Sequence, residues 1–394
     1  MYFKISNINT NYKNLVSFVL SLILLSAIFF PSSSNGIIFS SSKVVVYYSF
    51  ILFLLLILFF FSTFDNINLI ISGLILLLLS VSTILSIIIL NSDFSIARLA
   101  IVMFSLLIFN TKFYNSKNIH HLRYLFHFIT IFIIFFNLYF LIFDREISQF
   151  LIDNYSQFNY YTVASQLLEG KPVFTFGVHT FASFFYFLLF YFWYINIKFF
   201  KEIFLYYFYI FFLLLFMILL RSYSSILMLS ISLILLVLSI FKKTVVSNIV
   251  KISIFSSPII IIFIIIFFNS QIQDLLFNES HGIFPRYFGD LFFINFEMIK
   301  RTILGLGFTI ARDYPVVYTD SGPIVYITMG NFFFPILFYL VYFRFLKINL
   351  KKHHHILFFS TLLFELAIPL LIYLKGVLII LTIVYYQKNI YYEK

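Results

Sequence analysis

The sequence predicts an all-α polytopic membrane protein with about 11–12 transmembrane helices, one large outer loop and one medium outer loop, both containing short helices. Two observations carry that prediction. The composition is 62% hydrophobic and only 10% charged, with mean hydropathy +1.04, which no soluble globular domain sustains. The charges are also confined to gaps between apolar runs of about 16–25 residues, the length that crosses a bilayer as a helix. The whole chain of 394 residues reads as a single integral membrane domain, and we find no internal repeat in it.

Taken in order, residues 1–14 are polar and lead into Leu15–Phe30. That run has the look of a signal peptide, but no small-x-small cleavage site follows, so an uncleaved first span is expected. Further spans are predicted near 43–62, 69–90, 94–111, 124–143, 173–197, 203–220, 226–241, 252–268 and 323–343. The tail from Ile356 to Gln387 reads either as two short helices turning near Pro369 or Lys375-Gly376, or as one long tilted helix. Two long connections stand out, 144–172 and 269–322. Long loops in a compact membrane protein usually carry a function.

Charge sets the orientation. With the N-terminus inside, 16 of the 26 Lys and Arg residues fall in short inner segments: residues 4, 13, 112, 117, 123, 198, 201, 242, 243, 251, 344, 347, 351, 352, 388 and 394. Basic short loops stay cytoplasmic, so the net charge of +11 is topogenic and its distribution excludes a nucleic-acid surface. The absence of cysteine excludes disulfides, zinc–thiolate sites and thiol nucleophiles.

The basic residues that escape this pattern are the candidates for chemistry. Arg98 lies about one turn inside the outer end of its span, Arg221 marks an outer helix end, and Arg286, Lys300, Arg301 and Arg312 fall in the large loop. Guanidinium presents a rigid fork that matches phosphate oxygens and keeps its charge. Several arginines gathered at the outer face can therefore clamp a diphosphate. The competing reading makes them solvated ion pairs with loop acids, or, for Arg98, a partner of Asp93. Lys43, Arg145, Lys171 and Lys375 read as interface anchors, and Glu365 and Arg98 are the charges expected within the membrane. His179 and His281 are the outer histidines; His179 reads as a packing residue at the top of its span. No acids have the spacing of a dedicated metal site. Gly305 and Gly307 suggest a turn where backbone meets lipid head groups, or a plain helix break.

Three stretches then resemble the superfamily of O-antigen polymerases (Wzy-like) and O-antigen ligases. Thr175-Phe176-Gly177-Val178-His179-Thr180-Phe181-Ala182 leads into an apolar span. Leu220-Arg221-Ser222-Tyr223-Ser224-Ser225 precedes the next. Arg286 is followed by Ile303-Leu304-Gly305-Leu306-Gly307-Phe308, then Asp320-Ser321-Gly322 and Met329-Gly330. Thr319 or Asp320 stands where the ligase pattern has His, which is similar to a polymerase. The resemblance covers about 170–345. It implies a glycosyltransferase of the bacterial inner membrane, multi-pass with a cytoplasmic N-terminus, that polymerises undecaprenyl-diphosphate-linked oligosaccharide without metal or other cofactor. It further implies membrane lipids and a chain-length regulator as partners. Arg221, Arg286 and Asp320 are carried over by matching position; Arg98, Arg301 and Arg312 are secondary, and His179 joins the glycan-binding set. Asp320, with His281 second, would take the acceptor proton, and Arg286 would stabilise the leaving diphosphate. An O-antigen ligase and a lipid-linked oligosaccharide flippase are the alternatives, with a non-enzymatic membrane scaffold behind them.

Overall fold

The computed structural model describes residues 10–29, 42–114, 120–143, 145–155, 160–176, 178–197, 203–240, 303–310, 322–350, 353–366 and 368–390. These are mostly helical, and a helix stands at each predicted span within them. In chain order the helices are α1 (Thr10–Phe29), α2 (Ser42–Phe60), α3 (Asn66–Leu90), α4 (Ile96–Phe109), α5 (His120–Phe143), α6 (Arg145–Tyr155), α7 (Tyr160–Leu168), α8 (His179–Asn196), α9 (Ile203–Leu219) and α10 (Tyr223–Ile240). After them come α11 (Gly322–Gly330), α12 (Phe333–Asn349), α13 (His354–Glu365) and α14 (Leu374–Ile390). The span predicted at 252–268 and most of the 269–322 loop lie outside the described residues. The 144–172 loop contains α6 and α7, the short helices expected there.

Helix α3 shows why the bundle belongs in lipid. It buries Asn68, Ser72, Ser82, Thr83 and Ser86 against its neighbours. It turns Ile70, Leu77 and Ile88 outward, the last of these 71% exposed. A water-soluble helix does the reverse. By length and hydropathy, α3 and His121–Phe143 of α5 each suffice to cross a membrane, as does the α11–α12 pair if counted as one bent span. The remaining apolar helices are shorter. Among the described helices, α14 is buried along its whole length and α8 from Phe181 through Trp193. A helix apolar all round belongs at the centre of a bundle.

Two short antiparallel bridges tie the connections together, one at each end of the bundle. At one end β1 (Ser62–Phe64) pairs with β3 (Thr111–Phe113), and at the other β2 (Asp93–Phe94) pairs with β4 (Thr309–Ile310). The first end also gathers charge. Asp65 caps α3 by accepting from the Asn68 N–H at 3.0 Å, and meets Arg344 at 3.1 Å. Arg344 Nε donates to Asn68 Oδ1 at 2.9 Å, so a single guanidinium joins α12 to the start of α3. Lys388 donates to the Phe113 carbonyl and to Asn349 Oδ1.

The structure differs from the sequence reading in the span predicted at 323–343. It is not one helix: α11 and α12 meet at a 120° bend, with Asn331 in the left-handed region at φ 57°. The turn expected at Gly305–Gly307 is present, with both glycines at positive φ. It is buried against α3 and the end of α11, where the Leu306 N–H donates to the Thr328 carbonyl at 2.8 Å and the Gly307 N–H to the Met329 carbonyl at 2.6 Å. Those carbonyls have no acceptor role within so short a helix, and the turn satisfies them. The tail resolves into two helices, α13 and α14, parted near Pro369 as the first sequence alternative has it. As a result Lys375 is no interface anchor. It sits in the first turn of the enclosed α14, 3% exposed, with its ammonium 5.8 Å from the Phe176 ring.

Gly307 has φ +57°, and a Cβ there would lie 2.5 Å from the Leu79 carbonyl and closer still to the Thr83 hydroxyl. Gly307→Ala is therefore expected to destabilise the detergent-solubilised protein by about 1–3 kcal/mol, read as a lower thermal midpoint. The second expectation concerns pH. Burial raises the Asp65 carboxyl, but the Asn68 N–H and Arg344 outweigh it and hold it below the usual value. A carboxyl depressed in the folded state stabilises above its unfolded value of about 3.9, and the gain vanishes as pH falls through the folded value. Asp65→Asn should accordingly destabilise the protein at pH 7 by about 1 kcal/mol for so partly exposed a pair, read as a lower midpoint. The difference should shrink as pH falls below about 3.9 and vanish below the folded value, in a thermal series across that range.

Candidate functional site

The first two stretches that carry the family resemblance meet at the starts of α8 and α10. His179 opens α8, and its N–H is accepted by Gln166 Oε1 of α7 at 2.6 Å. One turn on, Ser183 Oγ donates to Ser224 Oγ of α10 at 3.5 Å. Ser224 belongs to a serine cluster at the head of α10, in which the Ser222 N–H donates to Ser225 Oγ at 3.0 Å. Arg221 stands at the corner between α9 and α10, exposed, with φ 48°. A non-glycine residue in that region is uncommon and concentrates where a corner is held by its surroundings. Glu169 and Lys171 pair at 2.6 Å just before α8; this hydrogen-bonded ion pair keeps the Glu169 carboxyl below its usual value.

Of the third stretch, Gly322 reaches the same place. Gly322, the first residue of α11, packs directly on Glu365 at the end of α13: a Cβ at 322 would lie 3.0 Å from both Glu365 Cδ and its carbonyl oxygen, and would run into Oε2. Glu365 has no exposed surface. Its Oε1 accepts from the Leu371 N–H at 2.6 Å and from the Tyr326 hydroxyl at 3.0 Å, while Oε2 accepts from Tyr339 at 3.5 Å. Rings link this carboxylate to α8. Phe184 packs on Phe364 at 4.5 Å, and Phe181 stacks on Tyr373 at 3.8 Å. Helix α4 joins in where Ser105 Oγ donates to the Leu371 carbonyl at 2.7 Å. The starts of α8, α10 and α11 and the α13–α14 connection thus form one neighbourhood, drawn from positions about 180 residues apart.

Arg98 stands apart from that neighbourhood. One Nη donates to the Thr309 carbonyl, in the strand that follows the Gly305–Gly307 turn, and its backbone N–H is capped by Ser95 Oγ at 3.4 Å. The same strand is held by Thr309 Oγ1 against Ser86 Oγ at 2.9 Å and by the Phe308 N–H to Thr83 Oγ1 at 2.8 Å. Arg98 is a brace for β4. The neighbouring Asp93 lies in the β2 strand that pairs with it.

Of the residues singled out in the sequence, His179 and Arg221 flank the shared neighbourhood and Arg98 lies on the β2–β4 bridge. Asp320, His281, Arg286, Arg301 and Arg312 lie outside the described residues. Glu365, Tyr326 and Tyr339 were not chosen as site residues. The signal was there for Glu365, an acid standing alone in the apolar tail, but nothing in a single sequence pairs it with residues 26 to 43 positions upstream.

Described residues that are mostly helical, with two helices (three with the bent pair) long and apolar enough to cross a bilayer and α3 turning its polar groups inward, define a membrane protein. Compared with known proteins, it matches no family model, no curated protein and no solved structure.

Thr309 has no exposed surface, so removing its donor strands a buried carbonyl. Arg98→Ala should cost about 1–3 kcal/mol of stability, visible as a lower thermal midpoint of the purified protein. An arginine that served substrate alone would leave that midpoint where it is.

Proposed function

We propose that this protein is a polysaccharide polymerase of the bacterial inner membrane, with about 11–12 crossings and a cytoplasmic N-terminus, that joins lipid-linked oligosaccharide repeat units on the outer face. One observation supports this reading above others. Phe181, Ser224 and Gly322, one residue from each of the three stretches that resemble the polymerase and ligase superfamily, are linked through Ser183, Phe184, Phe364, Glu365 and Tyr373 around the starts of α8, α10 and α11.

In this mechanism Arg286 and Arg221 hold the donor diphosphate, with Arg301 and Arg312 in the same loop. The acceptor sugar hydroxyl attacks the anomeric carbon of the donor. The bond from that carbon to the diphosphate oxygen breaks, and undecaprenyl diphosphate departs. Arginine charge offsets the negative charge that grows on the leaving group. Asp320 takes the hydroxyl proton, with His281 as the second candidate. Asp320 suits a polymerase better than a ligase, whose pattern calls for His at that place.

A flippase is the second reading, and two features favour it: the broken α11–α12 pair and a buried carboxyl that accepts from a tyrosine on each of its arms, both devices of transporters.

The test is the surface glycan of a deletion strain complemented with wild type or Arg286→Ala. Loss of the ladder to a single repeat, with lipid-linked single units accumulating outside, is the expected result for both the deletion and the variant. Lipid-linked units trapped on the inner leaflet would instead mark a flippase. Long lipid-linked chains that stay unattached would mark a ligase, and an unchanged ladder would remove glycosyl transfer altogether.

A further inference from the structure

The end of the bundle that holds the β1–β3 bridge carries more positive charge than its own contacts use. Arg344 pairs with Asp65 at 3.1 Å and donates to Asn68. Lys112 stands exposed on β3, close enough for its charge to act on both Asp65 and Lys388. Lys347 follows Arg344 by three residues on α12, the spacing that keeps two side chains on one face, and it too is exposed. Lys388 is 7% exposed, with its ammonium on the Phe113 carbonyl and on Asn349 Oδ1. Among the described residues Asp65 is the carboxylate at this end, and none lies within ion-pair distance of Lys388. Topology asks only that lysines lie on one side of the membrane. It does not ask that one be buried without a carboxylate and within the field of a second ammonium, which is unfavourable until a counter-charge arrives.

The surface that continues from these cations toward the middle of the bundle is apolar and turned outward. Asp65 caps α3, whose first turns expose Ile67, Ile70 and Leu74 at the spacing of a single stripe. On α12, which packs against α3, Leu340 is exposed one turn from Arg344. A free anion would use the cations alone, whereas a molecule with an anionic head and an apolar tail matches both parts. We propose that this end of the bundle is a binding site for an anionic phospholipid. Its phosphodiester lies among Lys112, Arg344 and Lys347, against the positive background of Lys388, and one acyl chain runs along the Ile67–Ile70–Leu74 stripe. Phosphate oxygens accept well from both ammonium and guanidinium. The headgroup brings the counter-charge that Lys388 lacks, and its attraction to clustered basic residues adds to the contact between acyl chain and apolar face. The site does not depend on glycosyl transfer.

The chain contains no cysteine, so single cysteines in the full-length protein report on lipid contact. Leu74 lies about 12 Å along α3 from its start at Asn66, the depth of the middle of an acyl chain below its headgroup. Ile84, exposed toward the other end of α3, is the reference. Leu74→Cys and Ile84→Cys, each labelled with a bimane fluorophore, are reconstituted in phosphatidylcholine vesicles. A fixed fraction of the lipid is replaced by dibrominated phosphatidylglycerol or dibrominated phosphatidylcholine, and the two quenching curves give the relative affinity at each position. Phosphatidylglycerol should be preferred at 74 by at least about fivefold, the weight of one basic side chain near a membrane surface, and by less than about twofold at 84. Lys112→Gln combined with Lys347→Gln should remove the preference at 74, while Lys112→Arg combined with Lys347→Arg should keep it. If the glutamine pair lowers the thermal midpoint in detergent, Lys112→Gln alone carries the test, and it should cut the preference at least about twofold. Equal quenching by the two lipids at 74 overturns the proposal. The same preference at both positions does so too, because it marks a general attraction to a basic protein. A preference that survives loss of the lysine charges, or that glycerol 3-phosphate in solution abolishes, likewise removes the lipid site.

Discussion

Everything near the candidate site depends on satisfying the backbone at one break. Where Asn331 turns out of the helical path, the last carbonyls of α11 lose their intrahelical donors in a setting with little water to replace them. Lipid-embedded backbone tolerates such a break only where protein supplies the missing bonds. Here the amides of Leu306 and Gly307 supply them. The turn that carries those amides needs two positive-φ glycines to come close enough, and it needs Thr83, Ser86 and Arg98 to hold the strand that follows. Groups that look like separate curiosities in the chain turn out to be parts of one support.

The opposite end of α11 is held with equal economy. Glu365 places an acceptor where the helix starts and collects tyrosine hydroxyls from both arms of the bend. With its C-terminal carbonyls bonded to the glycine turn and its first residue pressed against a carboxylate, a helix of 9 residues has a defined position despite its length. Helices so short have little stability of their own. The surrounding bundle, centred on α8 and α14, confers it.

How far the sequence is legible depends on the range of the interaction. Positions of apolar helices were readable because each run is long enough to bury its own backbone bonds, a local property. The division of the tail into α13 and α14 was within reach for the same reason, since Pro369 removes a donor at the break. The charge pattern put Arg344 in a short inner segment, and at its own end of the bundle it meets Asp65. The bend at 331–332 was not readable. Met329-Gly330-Asn331 in an apolar run fits a continuous helix as well as a broken one, and the choice is made by amides about 23 residues upstream. Arg98 was read as a diphosphate ligand or a partner of Asp93; the Thr309 carbonyl it meets is 211 positions away, out of reach of a local reading.

By itself the sequence determined the class of the molecule, the places where helices run, and the clustering of positive charge between them, because hydropathy and charge act residue by residue along the chain. The tertiary structure alone decided which helix lies at the centre, where a span is broken, and which carboxylate stands beside the start of α11. Those choices come from packing and from hydrogen bonds between segments, and an apolar sequence rich in Phe, Ile and Leu offers many equivalent ways to pack until buried polar groups such as Glu365 and Thr309 admit only the arrangement that satisfies them.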